Sequence, residues 1–558
     1  MSPKVSRKSI RPVVSPTSTL GKRNVGTRLA TFESPMSPAN QPPRPRNPGI
    51  RNHSYLRTAY DKQIAVLITV LVIAGLASLF TAYYLFTATS RGLLHPPHDI
   101  KHTGTLQTPL AKSALSAQTA PIVKPVNQLS FPAEKFLAYL PHSGFHNQRI
   151  ALENALVLAR ISNRTLLLPP IRLGDPLSYA PFDELYEASA DDRKTRLGFC
   201  RDLSPTDFNT PFQCDDYYGY THISWDWLVD LSGVRDDQRL LEGWNYTDAW
   251  LQDELDISTD DIFYIKDSTR NDYSFQDFFS FDPPARKFFQ AVQIATLAHR
   301  PERLIQLGTL FGSSRLHLRS SANYALRKHV RESMAFTNPH LVRAADGIRA
   351  ALGGAYLGVH LRIGDGVFEW NAPENTRLAW WKLLHLVLGF AHDNILALER
   401  SLFLDDAGPG LPTLNVDYPA MRAPHPPLPP FPLNATPSSS FPCRGPLHTS
   451  PTLIPLNAPL FVSTDARSPA HNGLLVRFTR TFPCIFFLDD FPEEVASLRD
   501  LKSPVDGVPL GPFLMPFLDA MAVGQAWQVV GTEQSTFSAF VTDVLWRTYR
   551  GYEIVQRG

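Results

Sequence analysis

The stretch Tyr356-Leu-Gly-Val-His-Leu-Arg-Ile-Gly-Asp365 predicts a buried strand that ends in a polar loop. Residues 355–361 form the short apolar run expected of such a strand, and ligands of open α/β sheets bind at the carboxyl ends of strands. His360 and Arg362 are two residues apart, so an extended backbone points both side chains to one side, and Asp365 is close enough to hold the guanidinium. Because arginine binds phosphate with a planar fork, we predict an anion site here. The alternative is an ordinary exposed Arg–Asp pair.

A second glycine-bearing loop lies in the stretch Tyr139-Leu-Pro-His-Ser-Gly-Phe-His-Asn-Gln-Arg149. A strand is predicted before it at 135–140, a helix after it at 148–160, and a further strand at 165–168. This pattern places the loop at a helix N-terminus, where backbone N–H groups and the helix dipole favour anions.

The third stretch is Gly531-Thr-Glu-Gln-Ser-Thr-Phe-Ser538, which follows a predicted strand at 526–530 and opens a helix that runs to about Arg547. Serine and threonine at a helix start usually cap the helix. Beside a nucleotide, the same hydroxyl and amide groups can bind a pyrophosphate.

Alternating strand and helix patterns predict an α/β fold with two Rossmann-like, parallel-sheet domains that face a cleft. We place these domains at 131–352 and 353–558. Residues 174–282 are predicted to be irregular and 283–351 largely helical, including a helix at 287–299. Residues 378–400 are again predicted to be helical. The proline-dense residues 406–458 are predicted to form a surface insertion without regular structure.

These stretches together resemble the GDP-fucose protein O-fucosyltransferase family. The resemblance covers residues from about 131 to the C-terminus, and it rests on Gly144-Phe-His-Asn-Gln-Arg149, His360-Leu-Arg362 with Asp365, Ser463-Thr-Asp465, and Asp519 followed by Gly531-Thr-x-x-Ser-Thr-Phe-Ser538. It implies the two-domain GT-B architecture, with the first domain on the acceptor side and the second binding the nucleotide sugar. It also implies inverting transfer of fucose from GDP-fucose to a protein Ser/Thr hydroxyl.

The resemblance implies a role for individual residues at the donor site. Arg362 is expected to stabilise the departing β-phosphate, and Asn147 to lie near the fucose and the leaving oxygen. The residues expected to contact GDP-fucose are Gly144, Phe145, His146, Asn147, His360, Arg362, Asp365, Asp465, Asp519, Ser535, Thr536 and Phe537. The chain contains no D-x-D pair, so we expect neither a metal ion nor another cofactor. The general base stays open among Glu153, His146, His142, a water molecule and the phosphate itself.

The N-terminal part of the chain predicts a membrane anchor. Residues 1–62 are basic and polar and are predicted to be a disordered cytosolic tail. The apolar residues 63–88 predict one membrane-spanning helix, and residues 89–130 a stem. Because the positive charge precedes the span, we expect type II topology, with the catalytic part in the lumen of the Golgi or endoplasmic reticulum. The same topology argues against nucleic acid as a partner.

All four cysteines follow the predicted span, and an even number in an oxidising compartment favours two disulfides. Three pairings are open, of which proximity in sequence favours Cys200–Cys214 and Cys443–Cys484. Glycosylation sequons begin at Asn163, Asn245 and Asn434.

Three other functions compete with protein O-fucosylation. The α1,6- and α1,2-fucosyltransferases share several of these peptides, so the acceptor can be a glycan rather than a glycoprotein or folded protein domain. A non-catalytic membrane protein of the same fold that binds glycan or nucleotide is a second rival. A signalling protein that acts through residues 1–62 is a third, although that tail contains no recognisable motif.

Overall fold

The computed structural model describes residues 134–190, 193–203, 207–279, 287–312, 314–402, 413–416, 424–432 and 441–556. All of them belong to one compact unit, Ile122–Gly558. The predicted tail, span and stem (1–130) and the sequon asparagine Asn434 lie outside the described residues. Within the described ranges, no helix is long and apolar enough to cross a membrane.

Two parallel sheets form the framework, as the sequence predicted. The first has the order β5-β2-β1-β9-β6 and the second the order β13-β12-β11-β14, and every pairing in both sheets is parallel. A three-stranded parallel sheet (β10-β7-β8) and an antiparallel pair (β3-β4) accompany them. The strands are β1 Phe136–Tyr139, β2 Thr165–Leu168, β3 Ile171–Gly174, β4 Tyr220–Ile223, β5 Leu240–Glu242, β6 Ile262–Ile265, β7 Tyr273–Gln276, β8 Gln290–Gln293, β9 Leu304–Leu307, β10 Leu316–His317, β11 Leu357–Leu361, β12 Leu460–Thr464, β13 Ile485–Phe486 and β14 Gln528–Gly531.

Helices connect and cover these strands. The helices that precede β11 in the chain are Phe145–Ile161, Phe182–Ser189, Arg193–Arg196, Cys214–Tyr218, Trp225–Leu228, Ser232–Asp237, Asp248–Leu255, Ile294–Ala298, Ser321–Glu332 and Pro339–Ala351. The helices that follow β11 are Gly366–Trp370, Ala372–Lys382, His392–Leu402, Val476–Thr481, Pro492–Arg499, Gly511–Gly524, Thr536–Phe540 and Trp546–Arg550. Two π-helical turns lie among them, at Leu383–Val387 and Val541–Leu545.

The first sheet contains strands that the sequence did not predict. The region 174–282, expected to be irregular, contributes β5 and β6, and the region 283–351, expected to be helical, contributes β9 between β1 and β6. The predicted helix at 287–299 is wrong in its first half, because residues 290–293 form β8 and only Ile294–Ala298 are helical. These strands have four residues or fewer, and their pairing partners are distant in sequence, so tertiary pairing overrides local composition.

Residues 378–400 are mostly helical, as predicted, but they do not form one continuous helix. The first helix ends at Lys382, the chain continues as the π-helical turn Leu383–Val387, and a second helix runs over His392–Leu402. Gly389 has a φ of 74°, in the left-handed region that glycine adopts readily, and Phe390 donates its N–H to the Leu384 carbonyl at 2.9 Å. A reversal at this glycine therefore divides the helix.

The cysteine pairing favoured by sequence is present in the structure. Cys200 is bonded to Cys214, and Cys443 to Cys484. The sequon residues Asn163 and Asn245 are both exposed. Asn245 Oδ1 accepts a hydrogen bond from the hydroxyl group of Thr247 at 2.6 Å, within the same sequon.

Part of the proline-dense insertion, residues 424–432, lies against the flank of β14. The Trp527 indole N–H donates to the Pro429 carbonyl at 3.1 Å, and the Phe431 ring packs 5.2 Å from the Trp527 ring. Arg547 donates to the Pro424 carbonyl at 2.6 Å. These nine residues contain neither helix nor strand, as the proline content predicted.

Gly358 lets the C-terminal end of the helix Gly511–Gly524 and the turn after it pack closely onto β11, one of the two central strands of the second sheet. A Cβ added at Gly358 lies 2.7 Å from Ala526 Cβ and 2.9 Å from the side chain of Val523. Both neighbours are fully buried and have no room to retreat.

Gly358→Ala is therefore expected to lower the free energy of unfolding by about 1–3 kcal/mol through overpacking. Denaturant titration of the purified protein measures the change. The control is Gly473→Ala, since a Cβ at Gly473 has no atom within 4 Å. Equal stability of the two variants contradicts the close approach described here.

Candidate functional site

The carboxyl end of β11 positions Arg362 between two carboxylates. Arg362 Nε donates to Asp365 Oδ1 at 3.1 Å and lies 3.2 Å from Asp465 Oδ2, while Nη2 also bonds to Asp365. Its backbone N–H donates to the Thr532 hydroxyl at 3.0 Å. The Arg362 side chain remains one-third exposed. The guanidinium group is thus fixed in place and still accessible to an anion. A bound anion would interact with it alongside the carboxylates of Asp365 and Asp465.

The same strand end brings the three singled-out stretches together through an aromatic stack. The Phe537 ring lies 3.9 Å from the His146 ring and 4.6 Å from the His360 ring, measured between centroids. His360 Nδ1 is 2.8 Å from the Ser538 hydroxyl. The loop after β1, the end of β11 and the helix start after β14 therefore meet at one place.

Both histidines of this stack are neutral at physiological pH. Burial, followed by the nearby Arg362, lowers the pKa of His360 to about 3. Burial, Arg149, His360 and Arg362, in that order, hold the pKa of His146 well below its ordinary value. The stack therefore provides apolar surface and neutral polar groups beside the charged Arg362.

The glycine-bearing loop after β1 is held by hydrogen bonds from the side chain of Gln148. Gln148 Nε2 donates to the carbonyls of Ser143 and Arg172 at 3.0 and 2.9 Å. Ser143 has a φ of 63°, and Asn147, which is half-buried, lies in the first turn of the helix Phe145–Ile161. Asn147 is thus adjacent in sequence to His146 of the stack.

Asp519 is buried beneath the end of β12. Its Oδ2 accepts the Thr464 N–H at 3.2 Å, whereas Oδ1 has no hydrogen-bond partner among the described residues. Burial raises the pKa of Asp519 to about 7, against hydrogen bonds from Ser463 and Thr464 that lower it. Asp465 directly follows β12, and its Oδ1 accepts the Ile363 N–H at 2.8 Å.

The helix that starts after β14 shows the capping arrangement that serine favours. The Ser535 hydroxyl accepts the Ser538 N–H at 3.2 Å. Ser535 and Thr536 also line a cavity of about 530 Å³. Their expected contact with a pyrophosphate stays a prediction.

Other predicted residues are engaged in packing or ion pairs. The Phe145 ring packs against Phe517 at 4.7 Å as part of the core. Of the base candidates, Glu153 is paired with Arg149. His142 is held at both ring nitrogens, by the Ser143 hydroxyl at 2.7 Å and a threonine hydroxyl at 2.6 Å. The structure thus leaves the general base open.

Thr532 and Arg149 are the site-adjacent residues that the sequence reasoning did not single out. Thr532 bridges the end of β14 to Arg362, and its place directly after Gly531 in the third stretch was the available signal. Arg149 ends the second quoted stretch, Tyr139–Arg149, and its burial could not be read from the sequence. No group of three or more His, Cys, Asp or Glu side chains in the described ranges is arranged to hold a metal ion, and metal independence stays a prediction.

Comparison with known proteins finds one matching stretch of sequence. Over 69 residues, which are 12% of this chain and 11% of the relative, the sequence is 41% identical to O-fucosyltransferase 30 from Arabidopsis thaliana. The chain resembles an O-fucosyltransferase. The match thus agrees with the resemblance predicted from the motifs, over about a tenth of the relative's length. No protein-family model matches the chain.

Solved structures of POFUT1 align with most of the fold at low similarity. The complex with GDP covers 75% of this chain and 95% of its own, at 12% identity and a TM-score of 0.32. The complex with GDP-fucose gives 11% identity and a TM-score of 0.33 over the same shares. A superposition of this quality assigns no role to any residue of this chain.

The buried Asp519 predicts a pH dependence of stability. Between its ordinary pKa of 3.8 and about 7, the unfolded chain loses this proton while the native protein retains it, so native stability falls as the pH rises through that window. Asp519→Asn removes the effect. We expect the free energy of unfolding of Asp519→Asn, relative to wild type, to increase from about pH 4 to pH 7.

Denaturant titrations across that pH range test this, with the exposed Asp500→Asn as the control. If the difference in the free energy of unfolding between Asp519→Asn and wild type does not vary with pH, the pKa of Asp519 is not raised in the native protein.

Proposed function

We propose that the protein is a glycosyltransferase that moves fucose from GDP-fucose to a Ser/Thr hydroxyl of a glycoprotein or folded protein domain. The observation that carries the proposal is the meeting of Arg362, the His146–Phe537–His360 stack and the Asn147 helix turn at one strand end. The 69-residue similarity to an O-fucosyltransferase supports the same reaction. The full proposal is an inverting, metal-independent GT-B enzyme.

In this proposal Arg362 neutralises the charge that develops on the β-phosphate as the bond to fucose breaks. Asp365 and Asp465 hold the guanidinium in place before the donor arrives, so little reorganisation is needed in the transition state. The neutral His360 leaves the positive charge concentrated on Arg362. Asn147 lies beside the fucose and the leaving oxygen.

The carboxylates near β12 suit the guanine and ribose of the donor. Guanine N1 and N2 are hydrogen-bond donors, and Asp465 is a partly exposed acceptor beside Arg362. Asp519 Oδ1 has no hydrogen-bond partner among the described residues, and with the carboxyl pKa raised to about 7 it accepts or donates according to its protonation state. Ser535, Thr536 and Phe537 complete the proposed diphosphate contact.

The proposed cellular setting follows from the N-terminal sequence. A single apolar segment after a basic tail predicts a type II membrane protein of the Golgi or endoplasmic reticulum. The two disulfides in the compact unit agree with an oxidising compartment. A glycan acceptor, or binding without catalysis, is distinguished from the main proposal by the experiments below.

Arg362→Ala is expected to slow fucose transfer by roughly 10²–10³-fold, because one preorganised charge at the leaving group is lost. The measurement is GDP release from GDP-fucose by the full-length protein with protein and glycan acceptors offered separately. The exposed Arg343→Ala serves as the matched control. Wild-type rates in Arg362→Ala reject the role given to this arginine.

Asn147→Ala is expected to retain GDP binding and to lose most of the transfer rate, because this side chain is proposed to act on the fucose and not on the nucleotide. Calorimetric titration with GDP and the transfer assay separate the two effects. Equal loss of affinity and rate indicates a binding role alone, and the absence of turnover in wild type favours the non-catalytic alternative.

Donor choice and metal independence are tested in one titration. Full-length protein in EDTA is expected to bind GDP-fucose more tightly than UDP sugars. Binding that requires a divalent cation, or that favours a UDP sugar, contradicts the proposal.

A further inference from the structure

A polar network lies at the carboxyl edge of the first sheet, apart from the strand end that carries Arg362. In this sheet β9 pairs with β1 on one side and with β6 on the other, and Leu307 lies opposite both Tyr139 and Ile265. The three strands therefore end at one level, and the residues that follow them meet. The buried polar residues at this edge are His142 after β1, Asp267 after β6 and Thr309 after β9.

These side chains are joined by hydrogen bonds. His142 Nε2 is 2.6 Å from the Thr309 hydroxyl oxygen. The Thr309 backbone N–H donates to Asp267 Oδ1 at 3.2 Å, and the Tyr179 hydroxyl donates to Asp267 Oδ2 at 3.0 Å. The Tyr179 ring also packs edge-on against the His142 ring, with 5.2 Å between the centroids. The His142 imidazole is therefore fixed in both position and orientation.

The network reaches the glycine-bearing loop after β1 through Ser143. His142 Nδ1 is 2.7 Å from the Ser143 hydroxyl oxygen. The Ser143 N–H donates to the Leu177 carbonyl at 2.6 Å, and the Ser143 carbonyl accepts from Gln148 Nε2 at 3.0 Å. With a φ of 63°, Ser143 has a left-handed conformation, which residues other than glycine adopt only where surrounding contacts impose it. Contacts at its hydroxyl, amide and carbonyl groups thus hold Ser143 in this conformation.

The conformation of Ser143 sets where the following helix begins. The next residue, Gly144, accepts the N–H groups of Asn147 and Gln148 at 3.0 and 3.2 Å, and these bonds form the first turn of the helix Phe145–Ile161. A change in the backbone at Ser143 therefore displaces this turn, and Asn147 moves with it.

We propose that His142 is a positioning residue for fucose transfer, which holds Ser143 in its left-handed conformation and thereby places Asn147 beside the fucose. The inference rests on the proposed function, because it uses the role given there to Asn147. It also assigns a task to a histidine that the site geometry left among the candidates for the general base.

The contacts of His142 argue against its being that base. A general base has to come within hydrogen-bond reach of the proton that it removes, and both ring nitrogens of His142 already face protein hydroxyl groups. Burial, followed by Arg270 and Arg315, lowers the pKa of His142 to about 4, so the ring is neutral and only weakly basic at physiological pH. A neutral ring between two hydroxyl groups is suited to holding them in place.

The test compares His142→Ala, His142→Asn and His142→Gln in the fucose-transfer assay with the full-length protein. His142→Ala is expected to lower kcat by roughly 10²-fold, because a small displacement of a substrate-positioning group has an effect of this size. GDP affinity, measured by calorimetry, is expected to be retained. His142→Asn, whose shorter amide can still reach the Ser143 hydroxyl, should recover much of the lost rate, and His142→Gln less. His299→Gln, at an exposed histidine outside the network, is the matched control.

A double variant tests whether His142 acts through Asn147. If it does, His142→Ala costs little further activity in the Asn147→Ala background, because the group that it positions is already absent. Losses that simply multiply mean that His142 acts elsewhere, and they overturn the proposal.

Hydrogen exchange gives a readout that does not depend on catalysis. The backbone amides of Ser143, Asn147 and Gln148 are expected to exchange faster in His142→Ala than in wild type, whereas those of β11 do not change. If His142→Ala does not fold, Thr309→Val, which removes only the hydroxyl at Nε2, replaces it with the same expectations for kcat and exchange.

Three results overturn the proposal. One is a wild-type kcat in His142→Ala, and another is unchanged exchange of the loop amides. The third is an equal loss of rate in the alanine, asparagine and glutamine variants, which identifies His142 as a proton carrier. If wild type itself transfers no fucose, the proposed function fails, and exchange of the loop amides then shows separately whether His142 holds the loop.

Discussion

The parallel pairing of β11 with β12 on one side and β14 on the other is the constraint on which the site depends. Its register places Leu361 opposite Thr464 and His360 opposite Gly531, so the three strands end at one level. The residues that follow each strand therefore lie side by side. The Arg362 side chain therefore pairs with Asp465, which follows β12, and the Arg362 backbone N–H donates to Thr532, which follows β14. A slip of one register position separates all of these partners.

The strands of the second sheet could be predicted because each is a short apolar run followed by polar residues, with glycine as well at the ends of β11 and β14. The peptide after β1 was predicted by the same signal. β6 and β9 are as long as β1 and β2, but they lie in regions whose overall composition predicted irregular and helical structure, and so they were missed. The break in the helix predicted at 378–400 depends on the backbone angle of Gly389, which sequence periodicity does not reveal.

The contacts of the site were less predictable than its location. The bond between Arg362 and Asp365 follows from their spacing, whereas the second carboxylate, Asp465, comes from a strand a hundred residues away. Likewise, His146 and His360 were selected from separate motifs, and only the fold shows that Phe537 lies between them.

The proline-dense segment beside β14 has a consequence for how molecules of this protein meet one another. β14 is the terminal strand of the second sheet, and an uncovered terminal strand offers its backbone to a strand of another molecule. Residues 424–432 lie at its flank, held by Trp527 and Arg547. Because proline has no N–H group, this covering segment is itself a poor template for further strand addition. The described segment 424–432, with proline at six of its nine positions, therefore offers few backbone N–H groups to a strand of another molecule.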